Sequence, residues 1–238
     1  MHLLYEGPSQ IDGQPIVCLL TGLDRPSQNK KTGLGVLQTW ILRQDISPTN
    51  AVKNKEDYSI CGNCPHRGTS CYVNVGQSPT SVWNAYKRGN YKIENLKKLG
   101  FRRHIRLGSY GDPSAIPILM WDDLLQNADG FLGYTHHPLA TPDLKKYCQA
   151  SADSEEQATL YQNLGFKTFR VKAPAAPTMP NEIMCKSPTL TCATCRLCDG
   201  QQKNIAIDVH GLQYRQNHFL RRQNDQANEL ELLESTDL

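Results

Sequence analysis

The stretch Gln149-Ala-Ser-Ala-Asp-Ser-Glu-Glu-Gln-Ala158 decides how this chain is read. Small and apolar residues run up to Ser151. Ser154, Glu155 and Glu156 then supply the hydroxyl cap and the negative charge that a helix N-terminus favours. The pattern predicts a strand over Tyr147 to Ser151 feeding a helix over Ser154 to Leu164, which Gly165 stops. Further strands are predicted at Pro15 to Thr21, Leu37 to Leu42, His104 to Gly108, Gly130 to Thr135, Phe166 to Val171 and Asn204 to Val209. Between several of them lie helical segments: Ser81 to Lys87, Glu94 to Leu99, and Ala115 to Gln126 with Pro113 and Pro117 near its start. This alternation predicts an α/β fold, a partial or complete (β/α) barrel, over residues 1–172. The Pro-rich run from Ala173 to Pro180 breaks it and leads into an irregular cysteine-rich C-terminal lobe (173–203), followed by the last strand and a C-terminal helix or tail (204–238).

The chain has 238 residues, 39% of them hydrophobic, enough for a core of its own. No run approaches the eighteen or so apolar residues of a membrane helix, and no charged-then-apolar leader opens the sequence. The expectation is a soluble protein of a bacterial or phage-infected cytoplasm with no membrane partner. The net charge of +3 is unevenly spread. Lys87, Arg88, Lys92, Lys97, Lys98, Arg102, Arg103 and Arg106 face the single acid Glu94, a field that would attract phosphate of DNA, RNA or a nucleotide unless it is merely a solvated helix face. Lys97, Lys98, Arg102 and Arg103 are the candidate nucleic-acid contacts. After Arg222 the sign reverses through Asp225, Glu229, Glu231, Glu234 and Asp237, which reads as a helical or fraying tail. Gly22 to Gly33 reads as a mobile loop without the P-loop order.

Seven of the nine cysteines fall into two sets, Cys61-Gly-Asn-Cys64 with Cys71, and Cys185 with Cys192-Ala-Thr-Cys195-Arg-Leu-Cys198. Two thiolates at i and i+3 can grip one ion or cluster from a single tight turn, so the spacing favours metal ligation over disulfides. Cys18 and Cys148 fall among apolar residues in predicted strands and read as core packing.

In barrels of this class the strand C-termini carry the chemistry. Here those positions hold Ser109-Tyr-Gly-Asp112, Thr135-His136-His137, Ser151-Ala-Asp153 and His210, with Arg170 inside a strand. Each has a local alternative: Asp112, Ser151 and Asp153 are all placed to cap helices. Their convergence on one rim predicts a pocket with Asp112, Ser109, His136, Ser151, Asp153 and His210 as candidate catalytic residues.

The cysteine set running into Cys71-Tyr72, then Arg106-Leu-Gly-Ser-Tyr-Gly-Asp112-Pro, Gly133-Tyr-Thr-His136 and Ala150-Ser-Ala-Asp153, resembles phage-encoded radical-SAM-like proteins, over roughly Ile60 to Val171. The resemblance implies a small (β/α) half-barrel in which Cys61, Cys64 and Cys71 hold a [4Fe-4S] cluster whose open iron binds S-adenosylmethionine. It makes the Ser109 to Asp112 and Ser151 to Asp153 loops the cofactor or substrate rim, with Tyr110, Gly111 and Arg170 as cofactor contacts. Under this reading the chain is an enzyme acting on a nucleic acid or nucleotide. The alternative is a zinc-stabilised nucleic-acid-binding protein, with His66 or the second cysteine set completing the zinc ligands.

Overall fold

A computed structural model describes residues 1–27 and 29–236, with side chains through Asp225. The first sheet begins with β1 (His2–Pro8), β2 (Pro15–Thr21) and β3 (Val36–Arg43). All eight residues of β3 are buried, as expected of a strand covered on both faces. Helices α1 (Pro48–Asn54), α2 (Tyr58–Cys61) and α3 (Ser78–Lys87) follow, then β4 (Lys92–Ile93) and α4 (Leu96–Gly100). Next come β5 (His104–Tyr110), a 3-10 turn at Pro113–Ala115, α5 (Ile118–Leu125), and the short strands β6 (Gly130–Leu132) and β7 (Tyr134–Thr135). The remaining elements are β8 (Gln149–Ala152), α6 (Glu155–Asn163), β9 (Thr168–Lys172), β10 (Glu182–Met184), α7 (Cys192–Cys195), β11 (Asn204–Asp208) and α8 (Gln213–Thr236).

The protein is a mixed α/β fold with two sheets, ordered β4-β1-β2-β3-β5-β6 and β10-β11-β9-β8-β7. Antiparallel pairing is confined to β1, β2 and β3; every pair from β3 to β6 and from β7 to β10 is parallel. One residue, Gly133, separates β6 in the first sheet from β7 in the second. A Cβ there would lie 2.7 Å from Cys148 Sγ, so the two sheets meet where only glycine fits. Cys18 and Cys148 are fully buried in the apolar cluster with Ile41, Leu107, Trp121 and Leu124.

The element that opened the reading forms as expected. Ser154 caps α6 by accepting from Gln157 N at 3.2 Å, and Gly165 takes φ +87° just beyond its end. Two expectations need correction. The helix predicted over Ala115 to Gln126 is a 3-10 turn followed by α5, because Ile116 is held extended ahead of Pro117 (φ −107°, ψ 138°). The strand predicted over Gly130 to Thr135 is two strands, divided at Gly133. Of the acidic tail, the region through 236 is helical, and Asp237 lies outside the described residues.

Candidate functional site

The connection after β3 builds the first cysteine set. Helix α2 ends at Cys61, Gly62 takes φ +51°, and two short turns follow, Cys64 N donating to Cys61 O (3.1 Å) and Cys71 N to His66 O (2.9 Å). Gly62 is required: a Cβ would lie 2.3 Å from the His137 ring, whose Nε2 meets Cys61 O at 2.9 Å. Arg67 clamps the loop, donating to Gly62 O (2.9 Å), Lys55 O (2.8 Å) and the Asp57 carboxylate (2.7 Å). Burial pushes the Cys61 thiol up, and its neighbours Cys64 and Cys71 push it further. Burial raises Cys64 and Cys71 as well.

Around this loop stand the polar ends of the parallel strands. Asp112, after β5, accepts from Ser114 N (2.9 Å), Thr135 Oγ1 (2.9 Å) and His136 N (2.7 Å). Its carboxylate caps the 3-10 turn and ties the end of β5 to the end of β7. His136 lies beside it and is lowered to about 4 by burial, so the imidazole is neutral near pH 7. The His66 ring stands edge-on to His136, 5.5 Å away, with Nδ1 on Ser70 Oγ (2.7 Å) and Nε2 on Asp153 Oδ1 (3.0 Å). Asp153, after β8, takes a second partner in Arg222 of α8 at 2.7 Å. Burial alone would raise its carboxyl; the hydrogen bond from His66 and the Arg222 charge outweigh that and hold it below the ordinary range. Phe219 of α8 stacks on His66 (6.0 Å, 16°), so α8 roofs this corner.

Asp112, His136 and Asp153 are therefore gathered at one place beside the Cys61–Cys71 loop. Tyr110 is buried near Cys61 and Cys71, and its hydroxyl, like the Ser109 hydroxyl, has no partner among the described residues. Gly111 is fixed by close approach (φ +83°, a Cβ 2.6 Å from Ile41 Cβ) rather than by space for a ligand. Ser151 shares a face of the sheet with Phe169 and Tyr134, whose rings lie 4.5 Å apart. His210 is exposed beside Tyr72 (6.4 Å). Arg170 lies elsewhere: both its Nε and Nη2 engage Glu182 (2.8 and 2.7 Å), leaving this buried guanidinium saturated.

In the second cysteine set, Cys185 directly follows β10 and its N donates to Ala206 O (2.8 Å), while Cys192 to Cys198 lie beside the loop before β3 and the break between β6 and β7. Cys192 N and Ala193 N donate to Lys31 O (3.1 Å) and Thr32 O (2.9 Å), so the Gly22 to Gly33 loop, expected to be mobile, docks on α7. Gly133 N donates to Cys198 O at 3.4 Å, and Gly200 packs where a Cβ would lie 2.7 Å from Cys148 O. Burial raises the Cys198 thiol to about 12, against a hydrogen bond from Tyr134 and with Cys185, Cys192 and Cys195 adding to the rise. All nine cysteines are free thiols. Among the described residues, no three His, Cys, Asp or Glu side chains converge tightly enough to grip a single metal ion.

The basic segment divides. Lys97, Lys98, Arg102 and Arg103 are exposed, with Lys97 near Asp123 (3.5 Å) and Arg102 over the Phe101 ring (5.4 Å). Arg106 points away from them and donates to Tyr72 Oη, while its buried Nε has no partner. No helix among the described residues is long and apolar enough to cross a membrane. The residues that spacing does not reveal are Arg67, Phe219 and Arg222. The last two approach Asp153 and His66 across some 70 residues or more of sequence, where no local pattern could announce them. No protein-family model, curated protein or solved structure matches this chain.

Proposed function

We propose that this chain is an iron-sulfur enzyme of radical-SAM-like type, its two sheets meeting at Gly133 as one open (β/α) barrel with the reaction site at the strand C-termini. The observation that carries the reading is a set of three half-buried thiols, Cys61, Cys64 and Cys71, beside Asp112, His136 and Asp153, while both ring nitrogens of His66 are already engaged by Ser70 and Asp153. Three sulfur ligands without a fourth protein donor suit a cluster with one open corner better than a closed zinc site, which takes four. With S-adenosylmethionine at that corner, such a cluster supplies one-electron radical chemistry. The residues here have separate tasks. Asp112 fixes the loop that presents Ser109 and Tyr110, neutral His136 offers a ring nitrogen to substrate, and the His66–Asp153–Arg222 network holds the roof in place.

The exposed bases lie in α4 and just before β5, whose seven residues span about 20 Å toward Asp112. A nucleic acid held there would be docked by its backbone, away from the reacting corner.

Anaerobic purification tests the reading. Brown protein containing iron and sulfide, with a spectrum that changes when S-adenosylmethionine is added, and with that response and the first site's iron lost in Cys64→Ala, is the expected result. Colourless protein carrying one zinc, or iron untouched by Cys64→Ala, overturns it.

A further inference from the structure

The second cysteine set is well separated in sequence from the first and closes a different part of the fold. Cys185, Cys192, Cys195 and Cys198 line one cavity of about 40 Å³. Its other walls include Leu132, Tyr134, Leu190, Leu197 and the cation Arg196, with no carboxylate among the lining residues. Four sulfurs facing one small, largely apolar space are hard to account for as core packing, since nothing in the sequence elsewhere brings more than two cysteines together except the first set.

A second observation comes from a residue of β5 that neighbours Cys192. Arg106 is a half-buried guanidinium on β5 with no carboxylate partner among the described residues, and its buried Nε donates to nothing. Its neighbours are Tyr72, Tyr134 and Cys192, and Tyr134 in turn lies beside Cys198. A buried cation normally has an anionic partner, and a metal centre held by four thiolates carries net negative charge. Arg106 and Tyr134 have the positions and the chemistry of outer partners that neutralise and orient such ligands.

We propose that Cys185, Cys192, Cys195 and Cys198 hold a second iron-sulfur cluster, fully ligated by the protein and distinct from the Cys61–Cys71 site, with Arg106 as its counter-charge. Iron-sulfur rather than zinc follows from the space. A tetrahedral zinc with bonds near 2.3 Å would draw its sulfurs to within about 4 Å of one another, a convergence that the side chains do not have. The cavity also exceeds by several-fold the roughly 10–15 Å³ that one water-sized sphere occupies. With all four corners held by protein, this centre has no place for substrate. Its role is to bind the α7 segment to the rest of the fold and to carry charge, not to react.

The full-length chain, purified without oxygen, is compared with the triple variant Cys61→Ala/Cys64→Ala/Cys71→Ala and the double variant Cys192→Ser/Cys195→Ser, reading iron, zinc and acid-labile sulfide per chain. Each variant should keep roughly half of the wild-type iron and sulfide, and only the double variant should become open to protease after Pro180. If the triple variant keeps all of the iron, the first site is empty and the proposed function fails while this assignment stands. If the triple variant loses all of the iron, or keeps zinc in place of iron and sulfide, or if the double variant keeps the wild-type content, this assignment is overturned. Because the double variant could fail to fold, Arg106→Leu provides an independent reading that leaves every ligand in place. It should release the second set's iron to a chelator at least about 10-fold faster, with Arg106→Lys partly restoring retention. Unchanged release in Arg106→Leu removes Arg106 as counter-charge.

Discussion

The two cysteine regions are built from opposite materials. The Cys61–Cys71 loop sits among titratable and hydrogen-bonding groups, Asp112, Asp153, His66, His136 and Arg222, at the C-terminal ends of the parallel strands. The Cys185–Cys198 segment faces leucines and one tyrosine, with Arg196 in the cavity wall and the Arg106 guanidinium close to Cys192. Both have thiols raised by burial, so burial alone does not distinguish them. What distinguishes them is the neighbourhood: polar groups able to move protons surround one set, and an apolar wall that only holds surrounds the other. The contrast teaches that closely spaced cysteines within one chain can meet quite different surroundings, polar at one set and largely apolar at the other.

The strongest way to break this contrast is at Asp112. Asp112→Ala strands three donors, two of them backbone N–H groups, and should cost about 3 kcal/mol in urea unfolding. Alkylation of Cys195 and Cys198 under native conditions should stay at the wild-type rate. A cost under about 1 kcal/mol would mean that water replaces the carboxylate there and that Asp112 is free for chemistry.

Acid should separate the regions next. His136 is lowered to about 4 from an ordinary 6.5, so the unfolded chain binds the proton first. Its contribution is fully present above about pH 6.5 and is lost as pH falls toward 4, on the order of 3 kcal/mol in all. His136→Gln should flatten the stability profile across that window relative to wild type, in which buried His2 and His104, also lowered, remain as a common background. Parallel profiles for the two proteins would show that His136 titrates normally.

A smaller effect is expected at the roof. Arg222→Leu removes one of the two partners of buried Asp153 and should cost about 1–2 kcal/mol. It should speed alkylation of Cys64 and Cys71 while leaving the second set unchanged; equal acceleration of both sets would dissolve the distinction.

The least stability is at stake on the outer surface. Reversing Lys97, Lys98, Arg102 and Arg103 to Glu should change stability by less than about 0.5 kcal/mol per site. If these residues dock a polyanion, the reversal weakens DNA or RNA binding and lowers its salt dependence; wild-type protein that binds neither at low salt ends that role.

Much of the parallel part of the fold was legible. The strands at 36–43, 104–110, 149–152, 168–172 and 204–208 match the expected spans to within two residues at each end, and antiparallel Pro15–Thr21 matches its span to the residue. Their continuous apolar runs and the capped helix after β8 are local signals. The strands that escaped, β1, β4 and β10, lie on the outer parts of the sheets, where short or half-exposed pairing leaves no strong pattern; β1 alternates only partway before Gly7 and Pro8. Helix α1 was missed although Ser47 ahead of Pro48 is a readable start signal, its hydroxyl accepting from Asn50 N. At the site, the cysteines and the polar strand ends were visible because turn geometry and strand order fix them. Arg106 was read as part of a surface field because a strand's alternation does not say which face turns inward. The saturation of Arg170 by Glu182, and the arrival of Phe219 and Arg222 over His66, belong to tertiary packing and left no trace in spacing.

The roof has a consequence in time. Roughly 150 residues separate Cys71 from Phe219, so at about 5–20 residues per second a ribosome adds the stacking ring some 7–30 s after the last cysteine of the first set. During that interval the loop exists without its cover. Any reagent that reaches Cys61, Cys64 and Cys71 has its widest access to the nascent chain, before α8 covers that corner.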